Sequence, residues 1–431
     1  MSSDKKTKIL VVGGGFGGLE TVNTLEKQFS NDDNIEITLV DRNNYLIFTS
    51  MLAEVVASSI EPQHCVVPLR ECLNKASFKE LEVKNIDLDN KKVECFHYHS
   101  NESFILDYDF LVLALGSKSG FHGVPGAEEY TFPLKNLADA MVLRSHVIDM
   151  FESADLEFEE STKRKLLTFV VIGGGYTGIE VAAELNDFID SSRRYYRNIS
   201  SEKVKVVVVD PGDRIMHEMS ESLAEYGLQL LKKRGMEFRL NTRVSKVTTH
   251  GLEFEGGDLI ETCTPIWAAG TSPQSVIAKL PCADKRGRIE VNEYFEVDGY
   301  PGVWAIGDCA QIKDPESDKP YPPTAQLAIR EGHRLGENIT SQINGNGTGK
   351  KPFIFKTIGM LAPLGHHSAV AEIKGIKFSG FFAWFMWRMI YLGKLPGFDR
   401  KIRVSLDWFL DIFLSRDIIQ LKFLMKSKDP E

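Results

Sequence analysis

Residues 13–18 (GGGFGG) have the composition and spacing of a turn that binds a dinucleotide phosphate. Gly13 allows the tight turn, Gly15 lets the backbone approach a pyrophosphate, and Gly18 permits a helix to pack closely on a strand. A helix that begins in this turn directs its first N–H groups at the phosphates. Asp41, 23 residues beyond Gly18, has the spacing of an acid that accepts hydrogen bonds from ribose hydroxyls.

A second turn of the same kind lies at residues 173–178 (GGGYTG). Its acid is Asp210, 32 residues beyond Gly178, because residues 186–202 lengthen the connection. Two such turns predict two dinucleotides, and a tightly held flavin with a diffusible nicotinamide is the natural pair. An acid at position 210 favours NADH, while Arg214 close by leaves NADPH as the alternative.

The elements that must position these turns recur along the chain. Residues 10–20 (LVVGGGFGGLE) return at 170–180 (VVIGGGYTGIE), 160 residues later. Each copy follows an apolar run and leads into a helical pattern, and a second apolar run then ends in the acid. A third pair of apolar runs, residues 110–116 and 266–270, ends in small residues and glycine. The predicted fold class is α/β, with two Rossmann-like dinucleotide-binding domains for FAD and NADH.

We expect the chain to divide into two dinucleotide-binding domains and a C-terminal segment. The FAD-binding domain comprises residues 1–120 and 296–349, and the NADH-binding domain, residues 121–295, is inserted into it. Residues 350–431 form a C-terminal amphipathic membrane-associating segment.

Composition and charge narrow the function further. The 431 residues include 51 Lys and Arg against 60 Asp and Glu, so the net charge is −9. The chain as a whole therefore lacks the positive charge that is typical of nucleic-acid-binding proteins. Residues 350–431 contain 14 basic and 7 acidic residues, so this segment has a net charge of +7 and residues 1–349 have a net charge of −16. The six cysteines are scattered without a C-x-x-C pair or a zinc-ligand spacing, so we expect no metal site.

The C-terminal segment mixes aromatic and basic side chains, a combination that suits the headgroup layer of a membrane. Its longest apolar run, residues 380–393, is too short to span a bilayer. A helix predicted over residues 405–416 gathers polar residues on one stripe and apolar residues opposite, namely Asp407, Asp411 and Ser415 against Leu406, Phe409, Leu410 and Phe413. We therefore expect a helix that lies on the membrane surface, and a homodimer interface or a third core layer is the alternative.

Two further motifs give the chain a specific family resemblance. Residues 301–308 (PGVWAIGD) read as an apolar strand that ends in Gly-Asp, and residues 324–328 read TAQLA. With both glycine turns, they make the chain resemble the type II (non-proton-pumping) NADH:quinone oxidoreductases, within the two-dinucleotide-binding-domain flavoprotein superfamily. The resemblance implies a single-chain FAD enzyme on a membrane face that passes a hydride from NADH to FAD and two electrons to a membrane quinone.

The resemblance also implies roles for residues of these motifs. It places the Asp308 carboxylate at the ribityl chain of the flavin, and it places Ala325 and Gln326 beside the isoalloxazine. Gln326 would stand at the quinone entrance. Arg330 occupies a position where the family often has a second Gln, so the outer part of that pocket differs.

Glu180, Gln326 and Lys356 are the predicted catalytic residues. The resemblance implies that Glu180 lies beside the nicotinamide. The alternative is that its carboxylate only stabilises the N-terminus of the helix. Lys356 resembles a lysine near the flavin, with a solvated lysine as the alternative. Cofactor contacts are implied in the turns and at the strand ends, at Gly13, Gly15, Phe16, Gly17, Gly18, Asp41, Arg42, Thr49, Ala114, Gly116, Gly173, Gly175, Tyr176, Gly178, Asp210, Ala269, Gly270, Gly307, Asp308, Ala325 and Gln326.

Other flavoprotein functions remain as alternatives. A sulfide:quinone oxidoreductase needs redox cysteines that flank the flavin, and residues 96–262 and 310–431 contain no cysteine. A ferredoxin-type reductase has no use for the aromatic basic segment, whereas a non-catalytic flavin-binding redox sensor would keep both turns. Because residues 1–8 (MSSDKKTK) carry no export or import signal, we expect a peripheral membrane protein on the cytoplasmic face, with a membrane quinone and the membrane surface as partners.

Overall fold

The computed structural model describes residues 6–200, 203–315, 317, 319–345 and 347–420 of the chain. Residues 421–431, the end of the predicted membrane-associating segment, lie outside them. The chain forms two compact units, each assembled from three separate stretches. Unit 1 comprises Met1–Ile47, Val66–Lys118 and Ser272–Lys356, and unit 2 comprises Phe48–Cys65, Ser119–Thr271 and Thr357–Glu431.

The α-helices of the described residues vary from one turn to more than five. Their bounds are Phe16–Gln28 (α1), Leu52–Val56 (α2), Ala127–Tyr130 (α3), Leu137–Leu156 (α4), Glu160–Leu166 (α5), Tyr176–Ser192 (α6), Glu221–Lys233 (α7), Ser275–Ala278 (α8), Ala325–Gly345 (α9), Gly380–Lys394 (α10) and Phe398–Phe413 (α11).

The strands are short, as in most α/β proteins. Their bounds are Thr7–Val12 (β1), Ile35–Asp41 (β2), Tyr45–Ile47 (β3), Val66–Pro68 (β4), Ser77–Glu80 (β5), Glu82–Asp87 (β6), Lys92–His97 (β7), Glu102–Asp107 (β8), Phe110–Leu113 (β9), Ser117–Ser119 (β10), Phe132–Pro133 (β11), Thr168–Ile172 (β12), Lys205–Val209 (β13), Glu237–Arg239 (β14), Val244–Thr248 (β15), Gly251–Phe254 (β16), Leu259–Glu261 (β17), Thr264–Trp267 (β18), Thr271–Pro273 (β19), Ile289–Glu290 (β20), Val303–Ala305 (β21), Ala310–Gln311 (β22), Gly359–Pro363 (β23), Ala369–Ile373 (β24) and Ile376–Ser379 (β25).

Unit 1 is built on a parallel sheet with the strand order β21-β9-β1-β2-β5. Val12 at the end of β1 pairs with Val40 on β2 and with Leu113 on β9, so these three strands end at the same edge. Helix α1 leaves that edge and packs against α9. Gly332 on α9 permits the close crossing, because a Cβ there would lie 2.3 Å from the carbonyl oxygen of Gly17.

Unit 2 repeats this architecture with a parallel sheet in the order β11-β18-β12-β13-β14. Ile172 at the end of β12 pairs with Val209 on β13 and with Trp267 on β18. The strands β12, β13 and β18 therefore correspond to β1, β2 and β9, which are the three strand pairs that the sequence repeat predicts. The predicted α/β class with two Rossmann-like sheets is confirmed.

The C-terminal helices belong to unit 2, where α10 packs on the antiparallel sheet β23-β24-β25 and on α11. The predicted start of the second helix at residue 405 is wrong, because α11 begins at Phe398, directly after the left-handed Gly397 (φ +80°). It ends at Phe413, so Ser415 lies beyond it. None of the helices in the described part of the chain is long and apolar enough to cross a membrane.

The two stripes of α11 exist as predicted, but the polar stripe points inward. The Asp411 side chain is 4% exposed and that of Asp407 is 12% exposed, whereas Phe409 and Phe413 are 56% and 70% exposed. Each acid has a partner on the inner side, as in the 2.5 Å contact between Asp407 Oδ2 and the partly exposed His64 Nδ1.

The expectation that the aromatic side chains of the C-terminal segment face the membrane headgroups is wrong for its tryptophans. Trp384, Trp387 and Trp408 are all buried, and the ring centroids of Trp387 on α10 and Trp408 on α11 lie 6.1 Å apart. Phenylalanines rather than tryptophans therefore make the exposed aromatic surface.

Candidate dinucleotide sites and catalytic residues

The first glycine turn joins β1 to α1. Gly13 has φ +109°, and a Cβ there would lie 2.1 Å from the Ala114 carbonyl oxygen, so only glycine fits. A Cβ on Gly18 would lie 1.9 Å from the Gly13 oxygen. At Gly15, in contrast, a Cβ would meet nothing within 4 Å, and no side chain caps the helix that follows. The turn is closed toward the protein and open at the helix N-terminus, as binding of a pyrophosphate requires.

Asp41 holds this turn in place. Its carboxylate accepts hydrogen bonds from the Gly14 N–H at 2.6 Å and from the Asn43 N–H at 2.8 Å. Burial raises the pKa of Asp41, and these backbone hydrogen bonds oppose the shift. Each carboxylate oxygen keeps a second lone pair, so Asp41 can still accept from a ribose hydroxyl.

Arg42 and Thr49 are two further predicted cofactor contacts, and they belong to different units. Arg42 follows β2 in unit 1 and is exposed. Thr49 belongs to unit 2, where it begins a single 3₁₀ turn.

The predicted ribityl-binding motif follows β21. Gly307 has φ +70° with open space at its Cβ position, and its N–H donates to Glu331 Oε2 at 2.7 Å. Asp308 accepts from Ser117 Oγ at 2.5 Å. Gly307, Asp308 and Glu331 line a pocket of unit 1 together with Thr324, which precedes α9, and Leu327 of α9.

Glu331 was missed by sequence reasoning. Burial raises the pKa of Glu331 to about 7. The signal that could have found it is its place between Leu327 and Leu335 on the apolar stripe of α9.

The other predicted residues of unit 1 lie on or near α9. Ala325 and Gln326 are its first two residues, and Gln326 is half-buried. Arg330 follows Gln326 by four positions and therefore shares its helix face, and its guanidinium lies 5.5 Å from the Phe355 ring centroid. Lys356 comes directly after this ring and is exposed. Gly116, at φ +64°, has open space at its Cβ position, like Gly15.

The second glycine turn repeats the geometry in unit 2. Gly173 has φ +111°, and a Cβ on Gly178 would lie 1.8 Å from the Gly173 oxygen. Gly175 has open space at its Cβ position, and no side chain caps α6 after it. Asp210 accepts from the Gly174 N–H at 2.6 Å and from a second backbone N–H, that of Gly212, at 2.7 Å, as Asp41 does in unit 1.

Further predicted contacts surround this turn. The Tyr176 hydroxyl, at the start of α6, donates to Met360 Sδ at 3.2 Å. Ala269 and Gly270 follow β18, and a Cβ on Gly270, which has φ +92°, would lie 2.4 Å from His122 Nε2. No motif marks His122 or Met360, so sequence reasoning missed both.

Glu180 lies near the start of α6 and is half-buried. Loss of hydration raises the pKa of Glu180 to about 8, and the neighbouring carboxylates of Glu54 and Glu184 contribute. The raised pKa favours the protonated form of Glu180 at neutral pH.

Glu54 and Glu184 are absent from the sequence-based site. Two features of the sequence could have indicated them. Glu54 is the one acid in the apolar run of residues 51–56 (MLAEVV), and Glu184 follows Glu180 by one helical turn. Packing of α2 on α6 brings these acids together.

The residues present fit the two dinucleotides. In unit 1, the uncapped helix start suits the FAD pyrophosphate, Asp41 suits a ribose, and Asp308 beside open Gly307 suits the ribityl chain. In unit 2, the second open helix start and Asp210 suit NADH.

Two protein-family models match the chain. The model of the pyridine nucleotide-disulphide oxidoreductases matches residues 7–332. The model of the NDH2 C-terminal domain matches residues 358–417.

Similar proteins cover nearly the whole chain. A type II NADH:quinone oxidoreductase from Staphylococcus aureus is 32% identical over 395 residues, which is 90% of this chain and 95% of that protein. A probable NADH dehydrogenase from Dictyostelium discoideum is 29% identical over 417 residues, which is 95% of this chain and 90% of that protein.

Solved structures share the fold. NDH2 from Plasmodium falciparum, determined in complex with NADH, has a TM-score of 0.89 at 22% identity, over 96% of this chain and 100% of that chain. A sulfide:quinone oxidoreductase from Aquifex aeolicus has a TM-score of 0.70 at 19% identity, over 95% of both chains. At these identities the likeness establishes the fold alone.

The family follows from the sequence matches, which agree with the resemblance carried by the two glycine turns and residues 301–308 and 324–328. That resemblance is confirmed, and the chain belongs to the type II NADH:quinone oxidoreductase family.

Proposed function

We propose that this chain oxidises NADH, with FAD as its bound cofactor, and reduces a membrane quinone without pumping protons. The observation that carries the proposal is the pair of glycine turns, each open at an uncapped helix N-terminus, one in each unit. One site for a flavin and one for a nicotinamide are what transfer of two electrons from NADH requires. Bound FAD supplies the hydride acceptor and the store for both electrons.

The purified protein is expected to contain one FAD per chain and to lose flavin absorbance when NADH is added without oxygen. It should then turn over with a soluble quinone. Bleaching by NADH without quinone turnover would contradict the proposal and favour the redox-sensor alternative.

The proposed residue roles combine the family resemblance with the geometry of the two sites. The first-turn N–H groups of α1 bind the FAD pyrophosphate, Asp41 binds its ribose, and Asp308 binds the ribityl chain. Gln326 orients the quinone through its amide, and Lys356 supplies a positive charge near the flavin. Glu180 lies beside the nicotinamide.

The properties of the cysteines argue against sulfide as the electron donor. All six are free thiols. Burial raises the pKa of Cys65, of Cys95 and of Cys309 to about 12. Such thiols form little thiolate and are poor nucleophiles, whereas sulfide oxidation needs a reactive cysteine pair.

Asp210 is expected to select NADH against NADPH, because its buried carboxylate repels a 2′-phosphate. The wild type should prefer NADH by at least about tenfold in kcat/KM, or about 1.4 kcal/mol. Asp210→Asn should narrow this ratio, since the amide keeps an acceptor oxygen for the turn but removes the charge. The exposed Asp213→Asn serves as the matched control, and equal use of both nucleotides by the wild type would contradict the prediction.

An exposed apolar face on α10 and α11 supports membrane association. We define this apolar face by Phe381, Phe382, Phe385 and Met389 of α10 with Phe398, Ile402, Leu406, Phe409 and Phe413 of α11. The α11 members recur every three or four residues and so form one stripe. Lys394 and Arg403 are exposed beside them, and each basic residue near an anionic surface contributes about 1 kcal/mol. We assign this face to the cytoplasmic side of the membrane.

The triple variant Leu406→Ser, Phe409→Ser and Phe413→Ser is expected to release the protein from anionic vesicles. Turnover with a soluble quinone should persist, while turnover with a long-tailed membrane quinone should fall at least about tenfold through lost apolar burial. Vesicle sedimentation measures membrane binding, and activity assays with the soluble and the long-tailed quinone measure the two turnover rates. Point variants are preferable to truncation, because Trp408 and Arg416 are buried in unit 2.

The matched control replaces exposed apolar residues elsewhere, Tyr98→Ser with Ile105→Ser. Unchanged vesicle binding by the triple variant, together with conversion of a dimer into monomers, would show that the apolar face is a homodimer interface instead.

A further inference from the structure

The connection from α6 to β13 in unit 2 is longer than its counterpart in unit 1, although the two units repeat one architecture. In unit 1, residues 29–34 (FSNDDN) join α1 to β2 and contain two acids and no basic residue. In unit 2, residues 193–204 (RRYYRNISSEKV) contain three arginines and one lysine. We call residues 193–200 the arginine segment. The Rossmann-like architecture does not need it, because unit 1 lacks it.

The inner side of the arginine segment is packed on the end of α4. Tyr196 is 7% exposed, and its ring centroid lies 5.3 Å from that of Phe151. The Tyr196 hydroxyl donates to Glu152 Oε1 at 2.9 Å, and the Asn198 N–H donates to Asp155 Oδ1 at 3.1 Å. These contacts hold the backbone of the segment in place, so its outer side chains have a defined position on the surface of unit 2.

The outer side of the arginine segment is basic. Arg194, Tyr195 and Arg197 are exposed, whereas Arg193 is partly buried and its Nε lies 3.5 Å from Asp190 Oδ1. Arg194 and Arg197 form no ion pair within the part of the chain that the structure describes. Like charges this close in the chain repel one another, and an anionic surface would relieve the repulsion.

A role limited to unit 2 itself does not account for this charge. Basic residues at a helix C-terminus interact favourably with the helix dipole, but the effect is confined to the last turn. It covers Arg193 and Arg194, whereas Arg197 lies five residues beyond Ser192, the last residue of α6. The second glycine turn is at the opposite end of this 17-residue helix, about 25 Å away, so the arginines are also too far to bind the dinucleotide phosphates.

The arginine segment adjoins the end of the apolar face. Arg194 Nη2 donates to the hydroxyl of Ser415, which lies two residues after Phe413 of that face. Leu414 and Ile419, on the stretch that follows α11, are both 62% exposed. The cations of the segment therefore lie next to exposed apolar side chains that continue the apolar face.

Tyr195 has the character of a side chain at a membrane interface. It is 50% exposed, and the Arg194 guanidinium lies 5.0 Å from its ring centroid, with Nη2 at 3.2 Å from the Tyr195 hydroxyl. A tyrosine ring and an arginine stem both combine an apolar body with a polar end, which suits the headgroup layer. A guanidinium also matches a phosphate group through paired N–H donors.

We propose that the arginine segment binds the phosphate groups of anionic phospholipids at the membrane surface. The proposal rests on the proposed membrane association of the apolar face. Arg194 and Arg197 bind lipid phosphates, and the Tyr195 ring lies among the headgroups. Lys394 precedes the start of α11, whereas the segment adjoins its end, so cations hold both ends of this helix to the bilayer and fix the orientation of unit 2.

Arg197→Gln is the direct test, because Arg197 has no ion pair to lose among the described residues. Its affinity for vesicles of phosphatidylcholine mixed with phosphatidylglycerol is expected to fall about fivefold, the usual contribution of one basic residue near an anionic surface. Arg194→Gln together with Arg197→Gln should lower this affinity at least about tenfold. Vesicle sedimentation measures both losses. Binding to vesicles of phosphatidylcholine alone and reduction of ferricyanide by NADH should not change.

Tyr195→Trp gives a second readout that does not depend on affinity. The emission of an indole at this position is expected to shift to shorter wavelength when anionic vesicles are added, because the ring leaves water for the headgroup layer. Tyr98→Trp is the matched control, since Tyr98 is 79% exposed and belongs to unit 1. A protein that sediments with the vesicles while the Tyr195→Trp emission stays unchanged would overturn the proposal.

The control for the charge variants is Lys285→Gln together with Arg286→Gln, which removes two exposed cations from a loop of unit 1. Wild-type affinity of the double arginine variant for the anionic vesicles, or an equal loss in this control, would also overturn the proposal. A wild-type protein that binds neither kind of vesicle would overturn the proposed membrane association itself, and the two failures are thus distinguishable.

Discussion

Gly175→Val is expected to abolish NADH oxidation while the protein stays folded and keeps its FAD. The backbone at Gly175 has φ −71°, which valine adopts readily, and its Cβ would meet no protein atom within 4 Å. The added side chain would instead fill the space that the NADH pyrophosphate needs. A loss of at least about 100-fold in kcat/KM for NADH, or about 2.7 kcal/mol, is expected in steady-state kinetics.

The equivalent change in unit 1, Gly15→Val, is the matched control. Its backbone has φ −72° and the same open space, so the protein should again fold. This variant is expected to be purified without flavin, whereas Gly175→Val should retain it. Normal NADH kinetics in Gly175→Val would show that the second turn does not bind the nucleotide.

Arg416→Met is expected to cost about 3–5 kcal/mol of unfolding free energy, the usual effect of removing one partner from a buried charge pair. Arg416 Nη2 lies 3.1 Å from Glu184 Oε2, and its Nε donates to Asp411 Oδ1 at the same distance. All three side chains are at most 7% exposed, so solvent screens these contacts little. A lower urea midpoint measures the loss.

The loss in Arg416→Met is expected to shrink as the pH is lowered. Burial raises the pKa of Glu184 even beside Arg416, and removal of the guanidinium raises it further. An acid with a raised folded-state pKa binds a proton on folding, so stability falls as pH rises above the unfolded-state pKa. Arg416→Lys and the exposed Arg403→Met are the controls, and a pH-independent loss would contradict this electrostatic cause.

The glycine turns were predictable because their requirements are local. A positive φ at Gly13 and the close approach at Gly18 restrict the residue type at each position, and the strand before and the acid after each turn lie near in sequence. The sequence repeat then predicted the equivalent sheets, since the same short-range pattern occurs twice.

The direction of the α11 faces was not predictable in the same way. Periodicity establishes that Asp407 and Asp411 share a face, but it does not show where their partners lie. His64 comes from a distant segment, and Arg416, five residues after Asp411, lies beyond the end of α11. Glu54 poses the same difficulty, because nothing local to residues 51–56 indicates that α6 and α10 supply charges around it.

The burial of the tryptophans has a consequence for spectroscopy. All five indoles of the chain, those of Trp267, Trp304, Trp384, Trp387 and Trp408, are at most 6% exposed. Their emission therefore already reports an apolar environment before any lipid is present. Adding vesicles should leave the emission maximum in place, because the phenylalanines of the apolar face emit weakly. A red shift would instead show that a core has opened to water. Intrinsic tryptophan fluorescence therefore reports the unfolding of this protein but does not report its binding to a membrane surface.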